Sequence, residues 1–254
     1  MQTFQPGDVA LITGASYGVG AQTAIEFSKL GYDLILTARK LENLENTKAL
    51  LPHNSTKALC LTLNLDDQAS IEKLMHDIEL QVGHLDVLVN NAGANVRQLA
   101  TDVTPDQWDS VFNTNLKGTF FMTQAVAKYM IAKKIPGSIV NVASVHALQG
   151  AIERSTYGIS KAGLIQMSKM LALEWAEHSI RVNSVAPGRL MTDSPSRSVT
   201  GNNADYMKAM LAKIPLHRLA TVEEVAAAIV FLAGSNAATI TGQTIVLDGG
   251  LTIS

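Results

Sequence analysis

Cysteine is nearly absent from this sequence of 254 residues: the one example, Cys60, excludes an internal disulfide. Its neighbours, KALCLTL, are mostly apolar, so we expect a buried thiol. No run of about 18 apolar residues occurs, and the first residues, MQTFQPGDVALITG, lack the basic and long apolar segments of a secretion signal. These absences predict a cytoplasmic protein that does not enter a membrane.

An excess of positive charge is also missing. The 20 Lys and Arg residues are scattered and face 22 Asp and Glu residues, for a net charge of −2, which argues against nucleic acid as a partner. We predict no metal site. Because no linker, repeat or low-complexity tract interrupts the chain, residues 1–254 are expected to form one domain.

Seven short aliphatic runs alternate with amphipathic segments. Each run is apolar at nearly every position, which is typical of strands covered on both faces of a parallel sheet. We therefore expect an α/β fold: a doubly wound, seven-stranded parallel sheet flanked by helices. The runs are DVALIT (8–13), YDLILT (32–37), KALCLTL (57–63), LDVLVN (85–90), SIVNVA (138–143), IRVNSVA (180–186) and TIVLD (244–248).

Two helices carry start signals, since Thr104 with Gln107 and Thr221 with Glu224 have the spacing of capping boxes. The segment 187–214 is unusually long for a connection inside a compact domain. We interpret it as a partly helical lid over a pocket, with a plain surface excursion as the alternative.

A glycine-rich turn, TGASYGVG, follows the first predicted strand and precedes a helix. Gly14, Gly18 and Gly20 would let backbone amides and the positive end of the helix dipole approach a pyrophosphate. The spacing differs from the usual G-x-G-x-x-G, but the place, beside the expected reversal of strand order, predicts a dinucleotide site. The other turn residues expected to contact the cofactor are Ser16, Tyr17 and Val19.

The end of the second strand, LTARK, bears on the choice of cofactor. An NAD site usually places a carboxylate there for the ribose 2′-hydroxyl. Here Arg39 and Lys40 offer positive charge that suits a 2′-phosphate. The sequence therefore favours NADP over NAD, unless Arg39 merely opens a solvated helix.

In STYGISKAG, Tyr157 precedes Lys161 by one helical turn. Hydride transfer between a nicotinamide and an alcohol or ketone requires a proton at the oxygen. A tyrosine can supply it if its pKa falls from about 10 by about three units, which corresponds to roughly 4 kcal/mol, and a nearby cation favours that fall. Taken alone, the pair is also typical of a solvated helix surface.

Further polar residues follow the predicted strands. Ser144 ends the fifth strand, where a hydroxyl could donate to a substrate oxygen, and NNAG (90–93) ends the fourth, with Gly93 allowing close approach of a cofactor. Asn115 stands in the middle of a predicted helix, a place that asparagine does not favour.

Together with PG at 187–188 and the ending ITGQTIVLDGG, these motifs strongly resemble the short-chain dehydrogenase/reductase family over nearly the whole chain. The branch is the one that includes 3-oxoacyl-[acyl-carrier-protein] reductases and gluconate dehydrogenases. The resemblance implies a Rossmann-like sheet and a catalytic tetrad. In it Tyr157 is the acid/base, Lys161 lowers the pKa of Tyr157 and binds the nicotinamide ribose, Ser144 polarises the carbonyl, and Asn115 holds a water for proton relay.

The resemblance also implies further cofactor contacts and a homotetramer or homodimer that pairs through the helices carrying Asn115 and Tyr157. Two residues depart from the family pattern: many members have Asp where Asn64 stands, and many NADP-dependent members have a basic residue where Tyr17 stands. The expected contacts outside the glycine turn are Asn64, Leu65, Asn91, Ala92, Gly93, Pro187, Gly188, Leu190 and Thr192.

The sequence therefore predicts an NADP(H)-dependent oxidoreductase that interconverts a ketone and a secondary alcohol. Cations and amides near the pocket favour a polar or acidic substrate, such as a sugar acid or an acyl-carrier thioester, although each arginine alone could be a solvated surface group. The alternatives are a non-enzymatic dinucleotide-binding regulator and an enzyme that epimerises or dehydrates nucleotide sugars. Candidate substrate contacts are Ser144, His146, Arg154 and Arg189, with Asn95, Arg97, Gln149 and Met191 in the same segments.

Overall fold

The computed structural model describes residues 8–52, 57–190 and 204–254. The seven predicted strands lie within these ranges, and their ends fall within two residues of the predicted bounds. They are β1 (Val9–Thr13), β2 (Asp33–Ala38), β3 (Ala58–Thr62), β4 (Val87–Asn90), β5 (Ser138–Val142), β6 (Arg181–Pro187) and β7 (Thr244–Leu247).

The strands form one parallel sheet in the order β3-β2-β1-β4-β5-β6-β7. In the register of the central strands, Ile12 of β1 lies between Leu36 of β2 and Val89 of β4. The chain runs outward in opposite directions from β1 and β4. The carboxyl ends of these two strands therefore open the crevice in which doubly wound sheets bind ligands.

Helices cover both faces of this sheet. A π-helical turn, Asn113–Gly118, joins α4 to α5. The helices are α1 (Gly18–Lys29), α2 (Glu45–Ala49), α3 (Gln68–Gln81), α4 (Pro105–Phe112), α5 (Thr119–Lys133), α6 (Ser155–Glu174), α7 (Ala204–Leu211) and α8 (Val222–Ala233). None of those described combines the length and apolar character needed to cross a membrane.

Successive strand residues pack into different cores. Ile12 belongs to the core that holds α1 and α8, whereas its neighbour Leu11 belongs to the core that holds α3, α5 and α6. Burial on both faces explains why the strands are apolar at nearly every position. Cys60 departs from the expectation, since its thiol is free but only half-buried. Its strand, β3, is at the edge of the sheet.

Both predicted capping boxes are confirmed. The Thr104 hydroxyl accepts from the Gln107 amide at 3.3 Å and the Gln107 side chain accepts from the Thr104 amide at 3.0 Å. Thr221 and Glu224 repeat the arrangement at the start of α8. These reciprocal bonds satisfy amides that a helix start leaves without partners.

The predicted lid, 187–214, lies only in part within the described residues. The described part of its first half ends at Leu190, which forms an isolated parallel bridge with Ala220. Its second half contains α7. Met191 and Thr192 lie outside the described residues.

Candidate active site

The glycine turn between β1 and α1 is shaped by close packing. Gly14 has a left-handed backbone (φ 66°), and a Cβ there would lie 2.8 Å from the Ala92 Cα. A Cβ on Gly20 would lie 2.4 Å from the Gly14 carbonyl oxygen and 2.5 Å from the Asn91 side-chain nitrogen. Only glycine therefore fits at these two positions, and the turn packs closely against the residues that follow β4. Gly18 differs, since nothing lies within 4 Å of the point that its Cβ would occupy, and the backbone at the start of α1 is open there.

This turn forms one wall of a cavity of about 500 Å³ at the carboxyl edge of the sheet. Most residues predicted to bind a cofactor line it, whereas Gly20 packs behind the turn and Thr192 is not described. The lining includes Gly14, Ser16, Tyr17, Gly18, Val19, Arg39, Asn64, Leu65, Asn91, Ala92, Gly93, Tyr157, Lys161, Pro187, Gly188 and Leu190.

The cavity is also lined by residues that were not predicted from the sequence. Some of these residues are the last residues of a predicted strand or directly follow one, and counting the last two residues of every strand and the next residue as part of the site would have found them. Others come from helices or loops and carry no such signal. The unpredicted lining residues are Thr37, Ala38, Asn43, Leu63, Asp66, Ala94, Ser110, Thr114, Val142 and Ala143.

Arg39 lies on the cavity wall at the end of β2. Lys40 does not line the cavity, and its ammonium group lies 3.4 Å from Glu42 in an exposed ion pair. The one carboxylate among the described lining residues, Asp66, follows β3 and not β2. Arg39 is therefore the charged group at the place where a carboxylate would mark an NAD site.

Asn91 ties the end of β4 to the glycine turn. Its side-chain amide donates to the Gly14 carbonyl at 2.8 Å and to the Thr13 carbonyl at 3.1 Å. The Thr13 hydroxyl in turn accepts from the backbone amides of Asn91 and Ala92. These bonds fix the two central strand ends that face the crevice.

Asn115 lies in the π-helical turn, and its side chain is buried. The side-chain oxygen accepts from the Ala94 amide at 2.6 Å, and the nitrogen donates to the Ala94 carbonyl at 2.9 Å and the Ser160 hydroxyl at 3.0 Å. The residue that was unexpected in a helix thus joins the loop after β4 to α6. Such π turns interrupt α-helices frequently at functional sites.

Lys161 is buried one turn after Tyr157 on α6. Its ammonium group donates to the Val142 carbonyl at 2.7 Å and lies 5.8 Å from the centre of the Tyr157 ring. Burial lowers the pKa of Lys161 to about 8, because a charge removed from water is disfavoured. A group with that pKa remains mostly charged at neutral pH, and its charge favours ionisation of the nearby phenol.

Ser144 lines the cavity at the end of β5. Its hydroxyl oxygen accepts a hydrogen bond of 3.2 Å from the backbone amide of His146, which leaves the hydroxyl proton available for another acceptor. The His146 ring packs edge-on to the Tyr157 ring, with 6.1 Å between their centres. Ser144 and Tyr157 therefore face one cavity, where they could contact one substrate oxygen.

The two candidate substrate arginines occupy different positions. Arg154 donates from Nη1 to the side-chain oxygen of Asn95 at 2.8 Å, and it also lines a second, smaller cavity with His146 and Gln149. Arg189 is half-buried and is not among the residues that line the main cavity, although its neighbours Gly188 and Leu190 are.

One cavity contains both the glycine turn and groups that could exchange a proton. Gly18 and Val19 at the start of α1 line the same cavity as Tyr157, Ser144 and Lys161. A phenol with a cation nearby can exchange a proton with a substrate oxygen. The described part of the chain holds no cluster of three or more potential metal ligands.

Comparison with known proteins gives extensive matches. A family model described as enoyl-(acyl carrier protein) reductase matches residues 14–252. The 3-oxoacyl-[acyl-carrier-protein] reductase FabG of Thermotoga maritima is 40% identical over 97% of this chain and 98% of its own length. The 2-dehydro-3-deoxy-D-gluconate 5-dehydrogenase of Escherichia coli is 36% identical over 96% of this chain and 95% of its own.

Solved structures agree with these matches. The crystal structure of a candidate 2-deoxy-D-gluconate 3-dehydrogenase from Agrobacterium tumefaciens, with bound NADP, superposes with a TM-score of 0.89 and 33% identity. The match covers 98% of this chain and 97% of that one. Fold, motifs and relatives thus agree, and the chain belongs to the short-chain dehydrogenase/reductase family of oxidoreductases, which act on CH–OH groups.

Proposed function

We propose that the chain is an NADP(H)-dependent oxidoreductase that interconverts a ketone and a secondary alcohol, with Tyr157 as general acid/base. The observation that carries the proposal is the buried ammonium group of Lys161, 5.8 Å from the Tyr157 ring. This pair shares a cavity with Ser144 and the glycine turn. A solvated surface pair would have neither the burial nor the cavity.

The cavity fits a dinucleotide. Gly18 lines the cavity at the start of α1, and nothing lies within 4 Å of the point that its Cβ would occupy, so main-chain amides there can meet phosphate oxygens. When bound, the cofactor supplies or accepts the hydride. Within the chain, Tyr157 would exchange the proton, Ser144 would donate to the substrate oxygen, and Lys161 would contact the nicotinamide ribose.

Asn115 is proposed to hold a water for proton relay. Its side-chain oxygen and the ammonium group of Lys161 lie 3.2 and 3.5 Å from the point that a Cβ on Gly93 would occupy. The two polar groups therefore approach the same small space beside Gly93. A side chain at Gly93 would fill that space.

NADP is the cofactor that we favour over NAD. Arg39 lies on the cavity wall and no lining carboxylate follows β2 among the described residues. The Agrobacterium tumefaciens structure contains NADP. A guanidinium can bind a 2′-phosphate with two parallel hydrogen bonds.

We also propose that residues 1–254 act as one cytoplasmic domain, with 187–214 as a substrate lid, and that two or four copies assemble. The outer face of α6 supports assembly, since Ile159, Met170 and Leu173 expose from about half to three quarters of their surface (50, 49 and 78%). Light scattering of the purified protein tests the assembly, and a monomer at micromolar concentration contradicts it.

A spectrophotometric screen at 340 nm tests the function. NADPH and NADH are each combined with simple ketones, diketones, β-ketoesters, 3-oxoacyl thioesters and keto sugar acids. We expect oxidation of NADPH with at least one ketone class and slower oxidation of NADH. The reverse reaction is followed with NADP or NAD and the corresponding alcohols, and no turnover in either direction contradicts the proposed function.

A further inference from the structure

A row of buried polar side chains crosses the centre of the sheet. Asn90 of β4, Asn141 of β5 and Ser184 of β6 are paired in the register of these strands, and all three are buried. Two residues earlier in each strand, where side chains point to the same face, the core is apolar and contains Leu88, Ile139 and Val182. The face that α5 and α6 cover thus changes from apolar to polar near the carboxyl edge of the sheet.

Hydrogen bonds join these strand residues to the two helices. The Asn90 side-chain nitrogen donates to the Thr123 hydroxyl of α5 at 2.7 Å and to the Asn141 side-chain oxygen at 2.8 Å. The Asn141 nitrogen donates to the Ser168 hydroxyl of α6 at 2.8 Å, and the hydroxyls of Ser168 and Ser184 lie 2.7 Å apart. We call Asn90, Asn141, Ser184, Thr123 and Ser168 the polar row.

The donors fix the orientation of the Asn141 amide. The Ser168 hydroxyl donates its one proton to the Leu164 carbonyl at 2.9 Å, so it can only accept from Asn141. Turning the Asn141 amide over would bring its nitrogen against the nitrogen of Asn90 and would leave its oxygen without a donor at Ser168. The bond between β5 and α6 therefore has one arrangement.

α6 is held to β5 at two points. One is the bond from Asn141 to Ser168, and the other is the bond from the Lys161 ammonium group to the Val142 carbonyl at 2.7 Å. Asn141 and Val142 are neighbours in β5. Lys161 and Ser168 stand two helical turns apart on α6, about 10 Å along the axis. Two bonds separated in this way restrict both sliding and rotation of the helix on the strand.

The position of α6 on β5 decides how the reacting groups meet. Tyr157 belongs to α6, whereas Ser144 follows β5, and both line the main cavity. A shift of α6 against β5 would change the distance between the two hydroxyls that are proposed to contact one substrate oxygen. A displacement of about 1 Å can slow a reaction by about 100-fold.

Filling this part of the core with polar side chains is costly for stability. Buried polar groups lose their contact with water, and their hydrogen bonds return only part of that loss. The Asn90 side-chain oxygen is buried without a hydrogen-bond partner among the described residues. An apolar core would avoid this cost, but a hydrogen-bonded network specifies one arrangement of the elements that it joins.

We propose that Asn141 and Ser168 are positioning residues, whose hydrogen bond holds α6 in place on β5. Tyr157 and Lys161 are thereby kept where the reaction needs them. The inference rests on the proposed function. Because neither Asn141 nor Ser168 lines the main cavity, both act through α6 and not by contact with the substrate or the cofactor.

Kinetics of variants at position 168 test the proposal. Ser168→Ala removes the acceptor for Asn141 and should lower kcat at least about ten-fold, because Tyr157 loses its alignment. The Kd of NADPH should stay within about two-fold, since the glycine turn and Arg39 follow β1 and β2 and not α6. Ser168→Thr keeps the hydroxyl and should restore most of kcat.

Ser138→Ala is the matched control. Ser138 is also buried on β5, but its hydroxyl donates to the Leu232 carbonyl of α8, on the other face of the sheet, at 3.2 Å. Its loss should leave kcat unchanged. A kcat of Ser168→Ala close to that of the wild type, an equal fall in Ser138→Ala, or a loss confined to the affinity for NADPH overturns the proposal. Thermal melting shows whether each variant is folded.

The pH dependence of stability gives a readout that needs no turnover. Tyr157 is the titratable side chain that faces Lys161, and burial lowers the pKa of Lys161 from 10.5 to about 8. The wild type therefore gains stability as the pH rises through this window. If Ser168→Ala loosens α6, water reaches Lys161, its pKa returns toward 10.5 and this gain shrinks.

The free energy of unfolding that Ser168→Ala loses should thus be larger at pH 10 than at pH 7. In a Lys161→Met background the loss should be equal at both pH values. An equal loss in the wild-type background contradicts the proposal, because Ser168 then acts on stability without moving Lys161.

The two readouts separate this proposal from the proposed function. If no carbonyl or alcohol is turned over but the loss in Ser168→Ala grows with pH, the positioning of α6 is supported and the proposed function alone fails. If the protein turns over a ketone and Ser168→Ala keeps the full kcat, the function stands and the positioning role is overturned.

Discussion

The Lys161 ammonium group donates to the Val142 carbonyl at 2.7 Å and lies 5.8 Å from the centre of the Tyr157 ring. The same four-residue spacing occurs at Tyr129 and Lys133 on α5. There, however, the lysine pairs with Glu79 at 2.8 Å, and neither residue lines the cavity. Spacing alone therefore does not make a proton donor; burial against the cavity distinguishes the pair on α6.

Tyr157→Phe should lower kcat by at least about 100-fold, the usual contribution of a general acid/base, because the ring remains but its proton is lost. The Kd of NADPH, measured by fluorescence, should change little. Tyr129→Phe is the matched control and should retain full activity. Substantial turnover by Tyr157→Phe sinks the assigned role.

Lys161 should make stability depend on pH. Burial lowers its pKa from 10.5 to about 8, so between these values the unfolded chain binds more protons than the folded chain. The free energy of unfolding should therefore rise with pH across this window, by up to about 3 kcal/mol. Urea denaturation of the wild type and of Lys161→Met is measured at pH 7 to 10. The difference between their free energies of unfolding isolates the effect of Lys161. If this difference is the same at every pH, the prediction is contradicted.

Arg39→Asp should reverse the cofactor preference. A carboxylate would repel the 2′-phosphate of NADPH and accept hydrogen bonds from the ribose of NADH. We expect kcat/KM to fall at least about ten-fold with NADPH, a loss of about 1.4 kcal/mol in binding free energy, and to rise with NADH. Lys40→Gln, at the exposed pair with Glu42, serves as the control. Equal losses with both cofactors would argue against the role of Arg39.

Gly20→Ala should weaken NADPH binding and destabilise the fold, because its Cβ would lie 2.4 Å from the Gly14 carbonyl oxygen. Gly150→Ala is a matched control, since nothing lies within 4 Å of its Cβ. Isothermal titration and thermal melting follow both variants. Unchanged affinity in Gly20→Ala means that the turn can shift, which contradicts the close packing.

Arg181→Met should lower the free energy of unfolding by about 2–4 kcal/mol, since it leaves buried carbonyls without a donor. The guanidinium donates to the carbonyls of Leu232, Ala233 and Gly234 at the end of α8, at 2.7, 3.0 and 3.2 Å. Urea denaturation measures the loss. Arg218→Gln, in an exposed pair, should cost much less.

The strands, the capping boxes and the glycine turn could be predicted because each depends on residues close in sequence. A run such as DVALIT needs burial on both faces wherever it lies, and Thr104 recruits Gln107 three residues away. Ser144 could be placed at the candidate site because parallel strands end at one edge of a sheet, whereas Tyr157 and Lys161 lie on a helix and were placed there by the resemblance to a known family.

Other features depend on distant partners and could not be predicted. Asn115 bonds to Ala94 and Ser160, which are 21 and 45 residues away, and nothing local indicated the π turn. Arg154 was a candidate from its position. Its contact with Asn95, 59 residues away, depends on how the loop after β4 meets the loop before α6.

The three hydrogen bonds of Asn115 have a consequence for motion. Its amide is shared by the loop after β4 and by α6, so we expect this part of the cavity wall and the helix that carries Tyr157 to move together. Hydrogen exchange should report the same free energy of opening for both segments. Asn115→Ala should let the two segments open separately. Tyr157 should then lose its position in the cavity under conditions in which the protein is still folded.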